Sequence, residues 1–398
     1  MQGFFEVKPQ KVSKRLSCVT CGLYHNSTNP KLEPSGEFQK KILCIGDFPD
    51  ELDDHKKKSF TGDKGHLLRR LLQNLDIDLE VDCACINAVA CRTEEKKDPT
   101  SKQIACCRTK VFQVINELKP KLILLFGSCA VSSLIDHRWH DEKTPSLDQL
   151  RGFVIPDRDT KCWVMATYNL DFVNESDVEV KTIVKQDLAK AIKHLDKKFP
   201  VFVDEATQVE IVEDTSFLKD LKGPVAWDVE ATGLKPNNTK IHKIICMSVS
   251  AANDKAYSFM MPTKGQQLQN VKDFLKSDIE KIAANLKYET NWAKNILKTT
   301  VRKWIWDTML ATHVLDNRRG ITGLKFSSFV KFGITDYNSH IAPFLKAKDN
   351  KNGNAVNQIE TLIKTEKGKR DLLIYCGVDS ILERRLALLQ MKELGYER

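Results

Sequence analysis

No apolar run in the 398 residues approaches the roughly 20 needed to cross a bilayer. The opening stretch, MQGFFEVKPQKVSKRLSC, also lacks the apolar core and small-residue cleavage site of a secretory signal. These absences argue against a membrane partner and lead us to expect a cytoplasmic protein. There is no internal repeat, and the hydrophobic fraction of 41% is too high for wholesale disorder. A strong charge of one sign is missing as well. The formal net charge of +9 is divided between residues 1–199, with 32 basic and 29 acidic side chains, and the remainder, with 30 and 24. A modest positive excess suits a polyanion but is equally met by a solvated surface.

Cysteine, by contrast, is plentiful. Ten of the twelve cysteines precede Phe199. In a reducing compartment, clustered cysteines more often mean metal than disulfides.

The length allows two domains. In the first half, apolar strands (KKILCIGDF, CINAVACR, PKLILLFG, WVMATY) alternate with helical patterns (GHLLRRLLQNL, KQIACCRTKVFQVINELK, VKTIVKQDLAKAIKHLDKK). This alternation predicts an α/β unit over 1–199, with a parallel sheet covered on both faces. Residues 200–223 read as a linker. From 224 to 398 a second unit is expected. VAWDVE, HKIICMSVSA and KAYSFMMP would form three consecutive antiparallel strands, followed by helices at YETNWAKNILK, WDTMLATHVLDNR and DLLIYCGVDSILERRLALLQMKEL. The polar stretch KAKDNKNGNAVNQ reads as a mobile loop.

Three acidic elements in the second unit carry chemistry. Asp228 and Glu230 are two apart, so on a strand they share a face and repel unless a cation lies between them. Glu289 opens a helix, where a carboxylate also serves simply as a favourable dipole partner. Tyr375 and Asp379 are one helical turn apart, so a phenol could hold a water beside an acid. Each alone is a weak signal. Together, DVEATGL, NLKYE with WDTMLATHVL, and YCGVD resemble the three motifs of the DEDDy proofreading exonucleases of family A DNA polymerases, from about Pro224 to Glu393.

The resemblance implies a ribonuclease H-like mixed sheet and 3′→5′ DNA exonuclease activity. Asp228, Glu230, Glu289 and Asp379 would hold two Mg²⁺ or Mn²⁺ ions, and Tyr375 would orient the attacking water. It places Thr232, Leu234 and Asn285 against DNA, Asn285 at the terminal nucleotide and Leu234 as a wedge on its base. One departure stands out. The family has aspartate where this chain has Glu289, and a displacement of roughly an ångström can cost on the order of 100-fold in rate.

In the first unit, Cys18 and Cys21 form C-x-x-C, and Cys107 follows Cys91 by sixteen residues. Spacing leaves a zinc or an iron–sulfur site open. Cys44, Cys83, Cys85, Cys129 and Cys162 fall on strands or helices and read as inert core thiols. The motifs GDFPD from Gly46, FTGDKG from Phe60, NAVACRT from Asn87 and PKLILLFGSCA resemble the iron–sulfur uracil-DNA glycosylases of the family 4 and 5 group, over Leu16 to Leu195. This implies a glycosylase-like α/β/α sandwich in which Cys18, Cys21, Cys91 and Cys107 hold a [4Fe–4S] cluster, with Cys106 as rival ligand. It also implies a base pocket of Gly46, Asp47, Phe60 and Asn87. The family's T-x-H-P motif reads TYNLD here, so neutral Asn169 replaces the histidine that would steady a departing uracil anion. Asp50 replaces the last glycine of the first loop. The pocket is therefore read as vestigial.

Expected partners are DNA 3′ ends, primer–template and a DNA polymerase. Only nineteen residues follow Asp379, too few for a polymerase palm, and the domain order resembles the front end of bacteriophage family A polymerases. A proofreading subunit or a polymerase fragment is expected. A dual repair enzyme and a non-catalytic replisome scaffold are the alternatives.

Overall fold

The computed structural model describes residues 16–94, 97–139, 144–236, 238–347 and 355–396. Among them no helix is long and apolar enough to cross a membrane. The chain divides into two units.

The first unit comprises the described residues up to Val201 together with Phe329–Asp336. Its strands are β1 (Ile42–Gly46), β2 (Cys83–Asn87), β3 (Leu122–Phe126), β4 (Val154–Asp157) and β5 (Cys162–Thr167), in the order β2-β1-β3-β5-β4. All pair in parallel except β4, which runs antiparallel to β5. β1, β2 and β3 are buried along their whole length, as a sheet covered on both faces requires. β4 was not foreseen. It contains Pro156, which an edge strand tolerates because a lost N–H need not break an interior ladder.

Helices α1 (Asp63–Gln73), α2 (Ser101–Leu118) and α4 (Val178–Ile192) follow the expected patterns, and α3 (Ser128–Ile135) follows directly on β3. α1 buries Leu67, Leu68, Leu71 and Leu72, the three-to-four spacing of one helical face. α2 starts at a reciprocal capping box between Thr100 and Gln103.

The second unit comprises Phe202–Ser328 and Tyr337–Arg398. Its strands among the described residues are β6 (Val209–Ile211), β7 (Val225–Ala231), β8 (Ile244–Ala252), β9 (Lys255–Met260), β10 (Lys281–Ala283) and β11 (Trp304–Asp307), in the order β11-β10-β7-β8-β9-β6. The β7–β8–β9 meander is antiparallel, as expected, and β10 runs parallel to β7. Its longer helices include α5 (Gly265–Lys276), α6 (Leu286–Asn295), α7 (Thr308–Leu315) and α8 (Glu366–Glu393).

Three expectations change. Residues 202–223 are no bare linker, because β6 pairs with β9 and Leu218 is buried in the core beneath the sheet. Phe329–Asp336 groups with the first unit, so the second is not contiguous. Trp306 and Asp307, read as the start of a helix, end a strand instead. Of the expected mobile loop, residues 348–354 lie outside the described residues, and its flanks meet in a bridge between Ala347 and Asn357.

Candidate active site and cysteine centre

Strand alternation builds the acidic site. Val225, Trp227, Val229 and Ala231 of β7 face the core with Trp292, Phe259 and Phe274. Asp228 and Glu230 therefore face the other way, toward α8, paired across the ladder with Ser248 and Cys246. The Ser248 hydroxyl donates to the Cys376 carbonyl (2.6 Å), fixing α8 on the sheet. A register shift follows Glu230 and ends the regular pairing there.

From α8, Asp379 completes the group. Carboxylate oxygens of Asp228, Glu230 and Asp379 lie within 4.8 Å of one another, and no other such group occurs among the described residues. Burial drives all three toward the protonated form, and the neighbouring carboxylates push Asp228 and Glu230 further up. Opposing this, the Tyr337 and Tyr375 hydroxyls favour the charged form of Asp379, as does Lys325. Tyr337 Oη donates to Asp379 Oδ1 at 2.6 Å, and its ring stacks on Tyr375 with centroids 5.7 Å apart. Such a donor set suits a hard divalent cation, because unneutralised carboxylates this close repel strongly.

Glu289 is not in that trio. It occupies the first turn of α6, is buried, and leaves Oε2 without a hydrogen-bond partner among the described residues. Burial and Asp228 raise it well above the usual carboxylate range. The turn before it is held by Asp307, whose oxygens accept from the backbone N–H groups of Asn285 (3.1 Å) and Leu286 (3.0 Å). Asp307 also caps α7 through Met309 and Leu310.

Asn285 adopts a left-handed φ of 69° as N-cap of α6. Leu234 is 76% exposed and lines a cavity of about 440 Å³ with Glu230, Gly233, Tyr288, Leu345 and Asn357. Thr232 is fully buried, and its hydroxyl accepts from the Lys243 N–H (2.9 Å), closing the β7–β8 connection.

Two residues escaped the sequence reading. Glu383 is buried one turn beyond Asp379, and its i+4 spacing from Asp379, like that of Asp379 from Tyr375, was a usable signal. Tyr337 gave none, since it comes from an irregular segment 42 residues before Asp379.

In the first unit, Gly46, Asp47, Phe60, Asn87 and Asn169 converge at the C-terminal ends of the parallel strands, around a cavity of about 20 Å³. That is room for about one water. Asn169 Nδ2 donates to Asp47 Oδ2 (2.7 Å), and its Oδ1 accepts from the Asp171 N–H (2.8 Å). Asn87 Nδ2 donates to Ser59 (3.0 Å). Burial raises Asp47 to about 6, opposed first by the Asn169 amide. Asp50, the altered loop residue, caps the helix Glu51–Lys56. With Asp53 it pairs with buried Lys64, each at 3.2 Å.

The cysteines also gather. Cys18 and Cys21 lie on a single helical turn packed near α2, and burial raises the Cys107 thiol to about 11, with Cys21, Cys91 and Cys18 adding to it. Cys91 is likewise raised by burial, with added effect from Cys21 and Cys18. Cys106 feels Cys21 and Cys18. Among the described residues no three cysteine sulfurs lie within 4.8 Å of one another. A tetrahedral zinc, with bonds of about 2.3 Å, would hold its sulfurs about 3.8 Å apart. Cys44, Cys83, Cys85, Cys129 and Cys162 are buried, in keeping with core thiols.

Residues 33–195 match the uracil DNA glycosylase superfamily, and residues 200–338 match the 3′-5′ exonuclease family of DNA polymerase A type. A type-4 uracil-DNA glycosylase of Thermotoga maritima is 29% identical over 195 residues, 48% of this chain and 95% of that enzyme. A DNA polymerase of Bacillus phage SP01 is 24% identical over 337 residues, covering 73% of this chain and 34% of the polymerase. Among solved structures, Brucella melitensis NrnC with bound Mg²⁺ aligns with 47% of this chain and 80% of its own, at 16% identity and a TM-score of 0.33.

Proposed function

We propose that this chain, which joins a uracil DNA glycosylase superfamily domain to a 3′-5′ exonuclease domain, trims DNA from the 3′ end as the proofreading activity of a DNA polymerase. The observation that carries the reading is the trio Asp228, Glu230 and Asp379, whose oxygens converge within 4.8 Å. These residues, with Glu289, would hold two Mg²⁺ or Mn²⁺ ions. Such ions supply charge stabilisation at the phosphoryl oxygens and water of lowered pKa.

The chain's own groups do the rest. Tyr375, buried beside Asp379, orients the attacking water with its hydroxyl. Leu234 packs on the terminal base at the mouth of the 440 Å³ cavity, a contact tolerant of sequence. Asn285 sets the angle at which α6 meets the terminal nucleotide. The product is a 5′-mononucleotide.

The glycosylase-like unit serves as a DNA-binding platform that does not excise uracil. Its cavity of about 20 Å³ has room for about one water, and both ends of Asn169 are engaged within the protein. Cys18, Cys21, Cys91 and Cys107 would hold a [4Fe–4S] cluster in a structural role. A polymerase partnership, within one chain or between two, is supported by the likeness to the phage enzyme. The place of action is the cytoplasm, that of the bacterial host if the chain is phage-encoded.

The test uses a 5′-labelled single strand and a mismatched primer–template, with Mg²⁺ or with chelator. Stepwise 3′ shortening that requires the metal, and disappears in Asp228→Ala with Glu230→Ala while DNA affinity persists, is the expected result. Full-rate digestion by the double variant would sink the assignment. A uracil-containing strand in the same assay should yield no alkali-labile sites.

A further inference from the structure

We infer that Asn357 is a positioning residue for the terminal base: its side chain ties together the two stretches of chain that line the cavity beside Glu230, and so holds Leu234 in place. The inference rests on the exonuclease reading and deepens it.

The 440 Å³ cavity is lined from two parts of the sequence. One is the end of β7 and the residues after it, from Glu230 to Leu234. The other includes Leu345, Ala347 and Asn357. Leu234 is 76% exposed, so packing does little to fix its side chain. What fixes it is the backbone on which it sits.

That backbone leaves its regular ladder at the register shift after Glu230. Beyond the shift, Asn357 takes up the carbonyls. Its N–H donates to the Thr232 carbonyl (2.9 Å), and its Nδ2 donates to that of Ala231 (2.9 Å). A side-chain amide has two N–H donors, and Nδ2 also reaches the Leu345 carbonyl, more weakly, at 3.5 Å. One group thus touches both linings. Its Oδ1 accepts from the Ile359 N–H (3.2 Å), which sets the amide's orientation. The second lining is closed on itself by the bridge between Ala347 and Asn357 and by the Gln358 N–H on the Phe344 carbonyl (2.8 Å).

Gly233, just before Leu234, has little slack of its own. Its carbonyl accepts from Tyr288 Oη (3.3 Å), and a Cβ added there would lie 3.0 Å from the Ala355 carbonyl oxygen. A merely structural tie between the stretches is already supplied by the Asn357 backbone, through Thr232 and Ala347. The side-chain amide adds a fixed spacing between the lining that carries Leu234 and the lining that carries Leu345.

Steady-state digestion of a 5′-labelled single strand by the full chain tests this. Asn357→Ala should raise KM about fivefold while kcat and the Mg²⁺ concentration for half-activity stay within about twofold of wild type. Because Asn357 acts through Leu234, the same change made in Leu234→Ala should raise KM by less than about twofold further. Asn357→Asp keeps the acceptor for Ile359 and lacks the donor, so it should reproduce the rise in KM and keeps the test decisive should the alanine variant misfold. An unchanged KM, or effects of Asn357 and Leu234 that simply multiply, overturns this inference alone. Absence of metal-dependent 3′ shortening by wild type would overturn the exonuclease reading beneath it.

Discussion

Tyr337 and Asp379 are 42 residues apart in the chain, yet the Tyr337 hydroxyl donates a 2.6 Å hydrogen bond to Asp379 Oδ1. A phenol given to a carboxylate both fixes its rotamer and favours its anionic form. Charge-assisted bonds of this kind contribute about 1.5–3 kcal/mol. Tyr337→Phe keeps the ring stacked on Tyr375 and removes only the donor. We expect kcat to fall about tenfold or more, the Mg²⁺ concentration for half-activity to rise, and KM for DNA to stay constant. Steady-state kinetics across a Mg²⁺ series checks this, and an unchanged Mg²⁺ requirement would dismiss the positioning role.

Leu234 offers a complementary case. Exposed at the rim of the cavity, it contributes little to the fold. Leu234→Ala should raise KM for a single strand severalfold with kcat nearly unchanged, as the loss of one stacking contact of about 1 kcal/mol would. A fall in kcat alone would move Leu234 out of the binding role.

Much of this was legible in the sequence, because the chemistry travels on short periods. Asp228 and Glu230 are two apart on a strand, and Tyr375 and Asp379 four apart on a helix, so secondary structure alone aligns each pair. For Thr232, the sequence gives no hint that its hydroxyl is turned inward to accept the Lys243 amide. Tyr337 was missed because its role depends on a long-range meeting that no local period encodes. The strand β6 was missed because three residues of weak pattern become a strand only when β9 offers an edge.

Asp47 provides a pH test away from the metal site. Burial raises it from 3.8 to about 6. A carboxyl raised in the folded state contributes stability that is fully present below about pH 4 and is lost as the pH climbs through about 6. The melting temperature of wild type, measured against Asp47→Asn from pH 4 to 7, should therefore decline relative to the variant as the pH rises. A constant difference would mean that Asp47 is not held in this way.

For the cysteine cluster, burial raises the Cys107 thiol, with Cys21, Cys91 and Cys18 adding to it, whereas Cys106 is raised by burial with Cys21 and Cys18 adding. Cys107→Ser should lose bound iron and visible absorbance, and Cys106→Ser should keep both. The reverse pattern, read by metal analysis of the purified chains, would exchange the two assignments.

Asp307 has a consequence for anyone recombining this protein with a relative. One side chain gathers amide protons from Asn285 and Leu286 and from Met309 and Leu310. The segments carrying Glu289 and the start of α7 are thereby pinned to a common rivet. A chimera that imports one segment without its matching acid would leave peptide groups stranded at two helix starts and let Glu289 drift. Crossovers should accordingly fall outside residues 285–310, so that both segments are inherited together.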